Sequence, residues 1–313
     1  MKLATLLGSA MVLCLAAGAA SAQAKLERAG ITVGTLGNPF FQPLIKGAED
    51  GLKTGNPDVE VTAVGADYDL NKQASQIDSF IAAGVQIIML NAVDVVAIKP
   101  FVEKAKAAGI VVAAMDVSAE GSDLTVMTNN VQAGELACSD LAERLGGKGD
   151  VVIINGPPVS SIIDRVKGCK DAFAKHPDIK ILSDDQDGKA SREGGLAVMQ
   201  SLLTRYEHID AVFGANDPTA IGAELAAKQL GRSEMIIAGV DGSPDFVEGL
   251  KTAGTLLVSS SSQDPYGMAK EAAEKAVALL GGTKPDPQVT LLDTTLVTKE
   301  NAANHVAWST GGN

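Results

Sequence analysis

Several residue types are scarce in this chain, and each shortage excludes a class of protein. Three cysteines in 313 residues, Cys14, Cys138 and Cys169, are too few for a disulfide scaffold. Three histidines, His176, His208 and His305, lie far apart, with no Cys/His spacing of a zinc site, so surface positions and no metal are expected. A phosphate-binding Gly-Lys-Ser/Thr loop is absent. Gly34-Thr35-Leu36-Gly37 lacks the third glycine and the acidic partner of a dinucleotide fingerprint, so no cofactor is expected. Lysine and arginine number 26 against 38 aspartate and glutamate, a formal charge of −12 that argues against nucleic acid as a partner. Past the first two dozen residues there is no apolar run long enough to span a bilayer.

The first residues are apolar. Lys2 precedes a run from Leu3 to Ala20, and Ala20-Ser21-Ala22 or Ala22-Gln23-Ala24 offers the small residues that a signal peptidase needs. Residues 1–24 therefore read as a cleavable secretory signal. Leu13 before Cys14 is too bulky for lipoprotein processing. Removing 24 of the 313 residues leaves 289, and the charge moves from −12 to −13 because Lys2 is the one charge lost. That length suffices for two ordinary cores, so two lobes are expected.

Along the mature chain, short Val/Ile-rich runs alternate with Ala-rich amphipathic segments. Ile31–Thr35 precedes a helix over Phe40–Lys53, Val59–Val64 one over Leu70–Ala83, and Gln86–Leu90 one over Val95–Ala108; Ile110–Ala114 leads to Leu124–Thr128. A second series begins with a helix over Val131–Leu145. It continues through Val151–Asn155, Ile179–Leu182, Asp210–Gly214 and Met235–Gly239, each followed by a helical segment. Uninterrupted apolar runs separated by helices indicate strands buried on both faces by crossover helices. The fold class is α/β, with two doubly wound parallel-sheet lobes. Leftover segments, Leu256–Ser260, a helix over Tyr266–Leu280 and a strand-like run Val289–Val297, imply several passages between lobes, near Asn129–Asn130, Ser262–Gln263 and Leu292–Asp293. The expected lobes are 25–129 with 263–292, and 130–262 with 293–313, joined by a multi-strand hinge able to open and close.

Polar anchors follow the runs: Asn38 with Phe40 and Phe41, then Asn91, Asp116, Asn216 and Asp241. In an open parallel sheet the carboxyl ends of the strands face the ligand crevice. Amides, carboxylates and flat rings gathered there suit a small polyhydroxylated molecule. Asp94, Asp217 and Asp245, each just ahead of a helical run, read as helix caps.

At this point the chain resembles the type I periplasmic solute-binding proteins of ABC importers, in the ribose-binding-like cluster. The resemblance rests on Asn38-Pro39-Phe40-Phe41, Leu90-Asn91-Ala92-Val93-Asp94, Asn129-Asn130, Gly195-Leu196-Ala197-Val198-Met199-Gln200, Asn216-Asp217, Val240-Asp241-Gly242-Ser243-Pro244-Asp245 and Gln263-Asp264-Pro265-Tyr266. It implies a sugar or polyol ligand, an inner-membrane permease as partner, a periplasmic location, a monomer and no catalysis. It also implies ligand contacts at Asn38, Phe40, Phe41, Asn91, Asp116, Arg165, Asn216, Asp241 and Gln263. Forked amide, carboxylate and guanidinium groups can bind vicinal hydroxyls bidentately while rings cover C–H faces. Asp116, Arg165 and Asp241 are expected to neutralise one another.

Two positions depart from the family's ribose binders. Val117 stands where they carry an arginine, and Ala190 where they carry an aromatic. One end of the pocket is therefore expected to be roomier and more apolar, disfavouring ribose. Two other roles stay open: a sensor partner that presents ligand to a membrane receptor, and a glycosidase using Asp116 and Asp241 as a carboxylate pair. Cys138 and Cys169 fall on helices flanking the same strand, Val151–Asn155, where either a disulfide or two buried thiols would fit.

Overall fold

The structure, a computed structural model, describes residues 25–306 and Trp308. The expected signal peptide, residues 1–24, lies outside the described residues. The chain begins with β1 (Arg28–Val33), α1 (Phe41–Leu52), β2 (Glu60–Gly65), α2 (Leu70–Ala82), β3 (Ile87–Leu90), α3 (Lys99–Ala107), β4 (Val111–Met115) and β5 (Leu124–Thr128). It continues through α4 (Asn130–Arg144), β6 (Lys148–Asn155), α5 (Ser160–Phe173), β7 (Asp178–Asp187), α6 (Arg192–Arg205), β8 (Ala211–Gly214), α7 (Asp217–Gln229), β9 (Ile236–Asp241), α8 (Pro244–Lys251) and β10 (Leu257–Ser262). It then returns through α9 (Pro265–Leu280), β11 (Val289–Leu292) and β12 (Leu296–Thr298).

Two six-stranded sheets result, with strand orders β11-β5-β4-β3-β1-β2 and β12-β10-β9-β8-β6-β7. Every residue of β3 and of β8 is buried, as central strands covered on both faces require. The apolar run Val289–Val297 is not one strand. It divides at Asp293: β11 runs parallel to β5, and β12 pairs antiparallel with β10 (Ser260↔Val297). The second sheet is thus parallel except for this edge strand. Helix α3 starts at Lys99 rather than Val95, because Asp94 Oδ1 accepts the Val96 and Ala97 N–H groups and holds a turn ahead of it.

In the first lobe α1 and α9 cover one face, burying Leu44, Leu52, Met268 and Ala272 against Ile31, Met89 and Met115. In the second lobe the corresponding layer joins Val152 and Val212 to Met199, Phe246 and Leu250. A third cluster continues from Ile88 and Leu90 through Val117 to Val159, Ile162 and Phe213, so apolar packing crosses from one lobe to the other. Burying each such aliphatic side chain contributes about 1.5–3 kcal/mol. Helices α4 and α5 lie close enough that a methyl group at Gly134 would collide with the Arg165 carbonyl, and one at Gly168 with the Val131 carbonyl. Cys138 and Cys169, on these same helices, form a disulfide with Cα atoms 5.0 Å apart. The crossing therefore fixes where Arg165 emerges from α5.

Candidate functional site

The carboxyl ends of the parallel strands meet across the gap between the lobes. After β1, Asn38 Oδ1 accepts the Phe40 N–H at 3.0 Å, and its Nδ2 reaches over to the Ala190 carbonyl at 3.5 Å. Phe40 and Phe41 are buried and meet edge to face, with centroids 5.6 Å apart. After β3, Asn91 Oδ1 accepts the Gly34 N–H at 2.9 Å while Nδ2 donates to Asp116 Oδ2 at 2.8 Å. Asp116, at the end of β4, has φ 67°, a left-handed conformation that aspartate tolerates better than most residues. Its second oxygen, Oδ1, is buried and has no hydrogen-bond partner among the described residues.

The second lobe supplies the charge pair. Arg165 is 3% exposed; its Nε donates to Asn130 Oδ1 at 2.9 Å, and Nη1 donates to the Ala215 carbonyl at 3.1 Å and to Asp241 Oδ1 at 3.3 Å. Asp241 Oδ1 also accepts from Gln263 Nε2 at 2.7 Å, and Gln263 Oε1 accepts from Thr128 Oγ1 at 2.7 Å. Asn216 at the end of β8 divides its amide: Oδ1 accepts the Thr219 N–H, and Nδ2 donates to the Ala190 carbonyl at 3.2 Å. Asp241 sits at φ 142°, so its carboxylate is presented from a strained turn.

All nine expected site residues, with Val117 and Ala190, line one narrow cavity of about 30 Å³ between the lobes. Tyr68, Val159, Ser161 and Ile162 also line it and were not expected. Outward it gives onto a vestibule of about 750 Å³ bounded by Asn38, Tyr68, Ala190, Arg192, Asp245 and Trp308. The inner walls differ in character. Asp116, Arg165, Asn216, Asp241 and Gln263 are polar, whereas Val117, Val159, Ile162 and Ala190 present methyl groups.

Burial dominates the electrostatics. It pushes Asp116 up to about 6 against the opposing charge of Arg165, and Asp241 up to about 6 against Arg165 and the Gln263 amide. Burial, then the negative charge of Asp241, pushes Asp217 up to about 8. The Tyr68 hydroxyl is raised by burial and then by Asp116 and Asp241.

Four expectations need correction. Of the two carboxylates Arg165 hydrogen-bonds only Asp241; Asp116 feels the charge of Arg165 without a hydrogen bond to it and is held by the Asn91 amide. Asp217 is not a cap: Asn216 caps α7, and fully buried Asp217 accepts from Ser260 Oγ at 2.6 Å and the Ser243 N–H at 2.7 Å. Ser243, not Asp245, caps α8, leaving Asp245 to pair with Arg192 at 2.8 Å. His305 is half-buried, with Nε2 3.3 Å from the Gly242 carbonyl.

Residues 29–284 match the sequence profile of the periplasmic binding protein domain. The chain is 33% identical over 302 residues to a xylitol-binding protein of Mycolicibacterium smegmatis, covering 93% of this chain and 83% of that one. It is 34% identical over 258 residues to a ribose import binding protein of Bacillus subtilis, covering 82% of each. Its structure is similar to an ABC transporter periplasmic solute-binding protein from Actinobacillus succinogenes with bound D-allose, at a TM-score of 0.81 and 29% identity, covering 89% of this chain and all of that one.

Proposed function

The chain belongs to the periplasmic binding protein domain family, and on that premise we propose that it is the solute-binding component of an ABC importer, holding one monosaccharide or polyol between its lobes. The observation that carries this reading is the unpartnered, buried Oδ1 of Asp116 beside the Asp241–Arg165 pair in a single interlobe cavity. An orphaned carboxylate oxygen is costly to bury, and a ligand hydroxyl donating to it removes the cost. Asn91, Asn216 and Gln263 bring amides to the same wall, and Phe40 and Phe41 offer rings to C–H faces.

Ligand enters the separated lobes, binds groups of both, and favours closure because the closed state makes all the contacts. The permease recognises the closed, loaded form. The mature protein acts in the periplasm as a monomer, exported by residues 1–24. No bond is made or broken in the ligand. A thermal-shift screen of the mature chain against monosaccharides, polyols and sugar acids tests the reading. A ligand at a hundred times its Kd adds about 2.7 kcal/mol of stability. A panel in which no sugar or polyol raises the melting temperature overturns it.

A further inference from the structure

The side chain of Trp308, from the carboxyl-terminal tail, engages both lobes at once. Its ring meets Phe40 of the first lobe edge to face, with centroids 5.6 Å apart, and it packs against that lobe's core. Its Nε1–H donates to the carbonyl of Asp241 in the second lobe at 2.9 Å. Three residues earlier His305 Nε2, which must carry the proton to donate to a carbonyl, lies 3.3 Å from the Gly242 oxygen. Two successive carbonyls of one turn are thus held from the tail. That turn is the one that needs holding, since Asp241 sits at φ 142° and Gly242 at φ 61° while the Asp241 side chain faces the cavity.

We propose that Trp308 is an interlobe strap: it holds the closed lobes together and positions the Asp241 turn, with Phe40 as its anchor on the opposite lobe. Opening the cleft separates Phe40 from Asp241, so the indole must give up one of its two contacts. Each is modest by itself, an edge-to-face aromatic pair and one hydrogen bond. Together they are expected to shift the closed-to-open ratio by roughly tenfold. Phenylalanine at 308 would keep the ring contact and lose the donor.

The inference rests on reading the two lobes as a clamp and needs no ligand, so its failure and that of the ligand reading are distinguishable. The test is small-angle scattering of the unliganded mature chain, wild type beside Trp308→Phe and Trp308→Ala, with far-UV circular dichroism as the check on folding. The expected order of radius of gyration is wild type smallest, Trp308→Phe intermediate and Trp308→Ala largest. Acrylamide quenching gives a second readout, because Trp308 is the one tryptophan of the sequence. Shielded wild-type emission is expected. Superimposable scattering from wild type and a folded Trp308→Ala, or wild-type quenching equal to that of free tryptophan, overturns the proposal.

Discussion

Asn91 holds Asp116 by one oxygen and leaves the other free: Nδ2 donates to Oδ2 at 2.8 Å, while Oδ1 is buried with no partner among the described residues. The two residues end adjacent parallel strands, β3 and β4, so the sheet itself fixes their separation. A carboxylate satisfied on one side only is shaped to receive a donor from the cavity. Its cost falls on the unliganded protein, and this gives the site a definite pH signature.

Asp116→Asn is expected to stabilise the unliganded chain at pH 8 while weakening ligand binding. Burial lifts Asp116 from 3.8 to about 6, so between those values the folded state binds more protons than the unfolded one. Stability contributed by this group is present below pH 3.8 and lost as pH rises through 6, the reverse of a salt-bridged carboxylate. Asparagine is neutral at every pH and tolerates the left-handed backbone at φ 67°. Urea melts should separate the variant from wild type at pH 8 and not at pH 4. Ligand affinity of the wild type should rise through pH 6, with proton release seen as a buffer-dependent calorimetric enthalpy. A variant no more stable than wild type at pH 8 would show that Asp116 ionises without penalty.

Asp241→Ala is expected to weaken binding and, unlike Asp116→Asn, to destabilise the fold. Removing it leaves the guanidinium of Arg165 buried without its counter-ion and frees the Gln263 amide. Stranding one partner of a buried pair costs about 3–5 kcal/mol. Chemical denaturation gives the stability, and calorimetry above the folding threshold gives a loss of roughly tenfold or more in affinity. Equal denaturation midpoints for wild type and variant would mean that Arg165 finds another partner.

The strand ends were legible because polar residues interrupt apolar runs there, and the same rule located Asn91, Asp116, Asn216 and Asp241. Applied to the end of β2 it would have found Tyr68, where Asp67 and Tyr68 follow the run Val59–Val64. Val159, Ser161 and Ile162 begin a helix and look like any amphipathic first turn. Their cavity position follows from how α5 crosses α4, which local pattern does not encode. Asp217 was misread because Asn216 and Asp217 are equally good caps by composition. Burial against Ser260 and Ser243, distant in sequence, decides between them. Trp308 carried no signal at all, since its contacts lie 67 and more residues away.

Labelling the denatured, unreduced mature protein with a thiol reagent should find no free thiol. Cys138 and Cys169 enclose a separation of 31 residues, for which the chain-entropy account gives about 3–4 kcal/mol of stabilisation. Reduction should therefore lower the free energy of unfolding by that amount, seen as a lower denaturation midpoint. It should also weaken ligand binding a few-fold, because α4 and α5 aim Arg165 and its Asn130 partner. Two labelled thiols per unreduced chain would remove the crosslink from the account.

Ligand preference follows from the apolar wall. Val117, Val159, Ile162 and Ala190 line the cavity together with the charged groups and Ser161. A sugar hydroxyl turned toward those methyl groups is left unpaired, at about 1–3 kcal/mol. D-ribose should bind less tightly than a deoxy sugar, a hexose or a substituted polyol that sets a C–H face or a larger group there. Competition calorimetry with D-ribose, 2-deoxy-D-ribose, D-allose and xylitol measures this directly, and ribose emerging as the tightest of the four would sink the idea. Val117→Thr sharpens the test, since threonine matches valine in shape and adds one hydroxyl. It should move the ratio of ribose to 2-deoxyribose affinity toward ribose by a factor of roughly three to ten, the worth of one hydrogen bond. An unchanged ratio would mean that position 117 does not face the part of the ligand in which the two sugars differ.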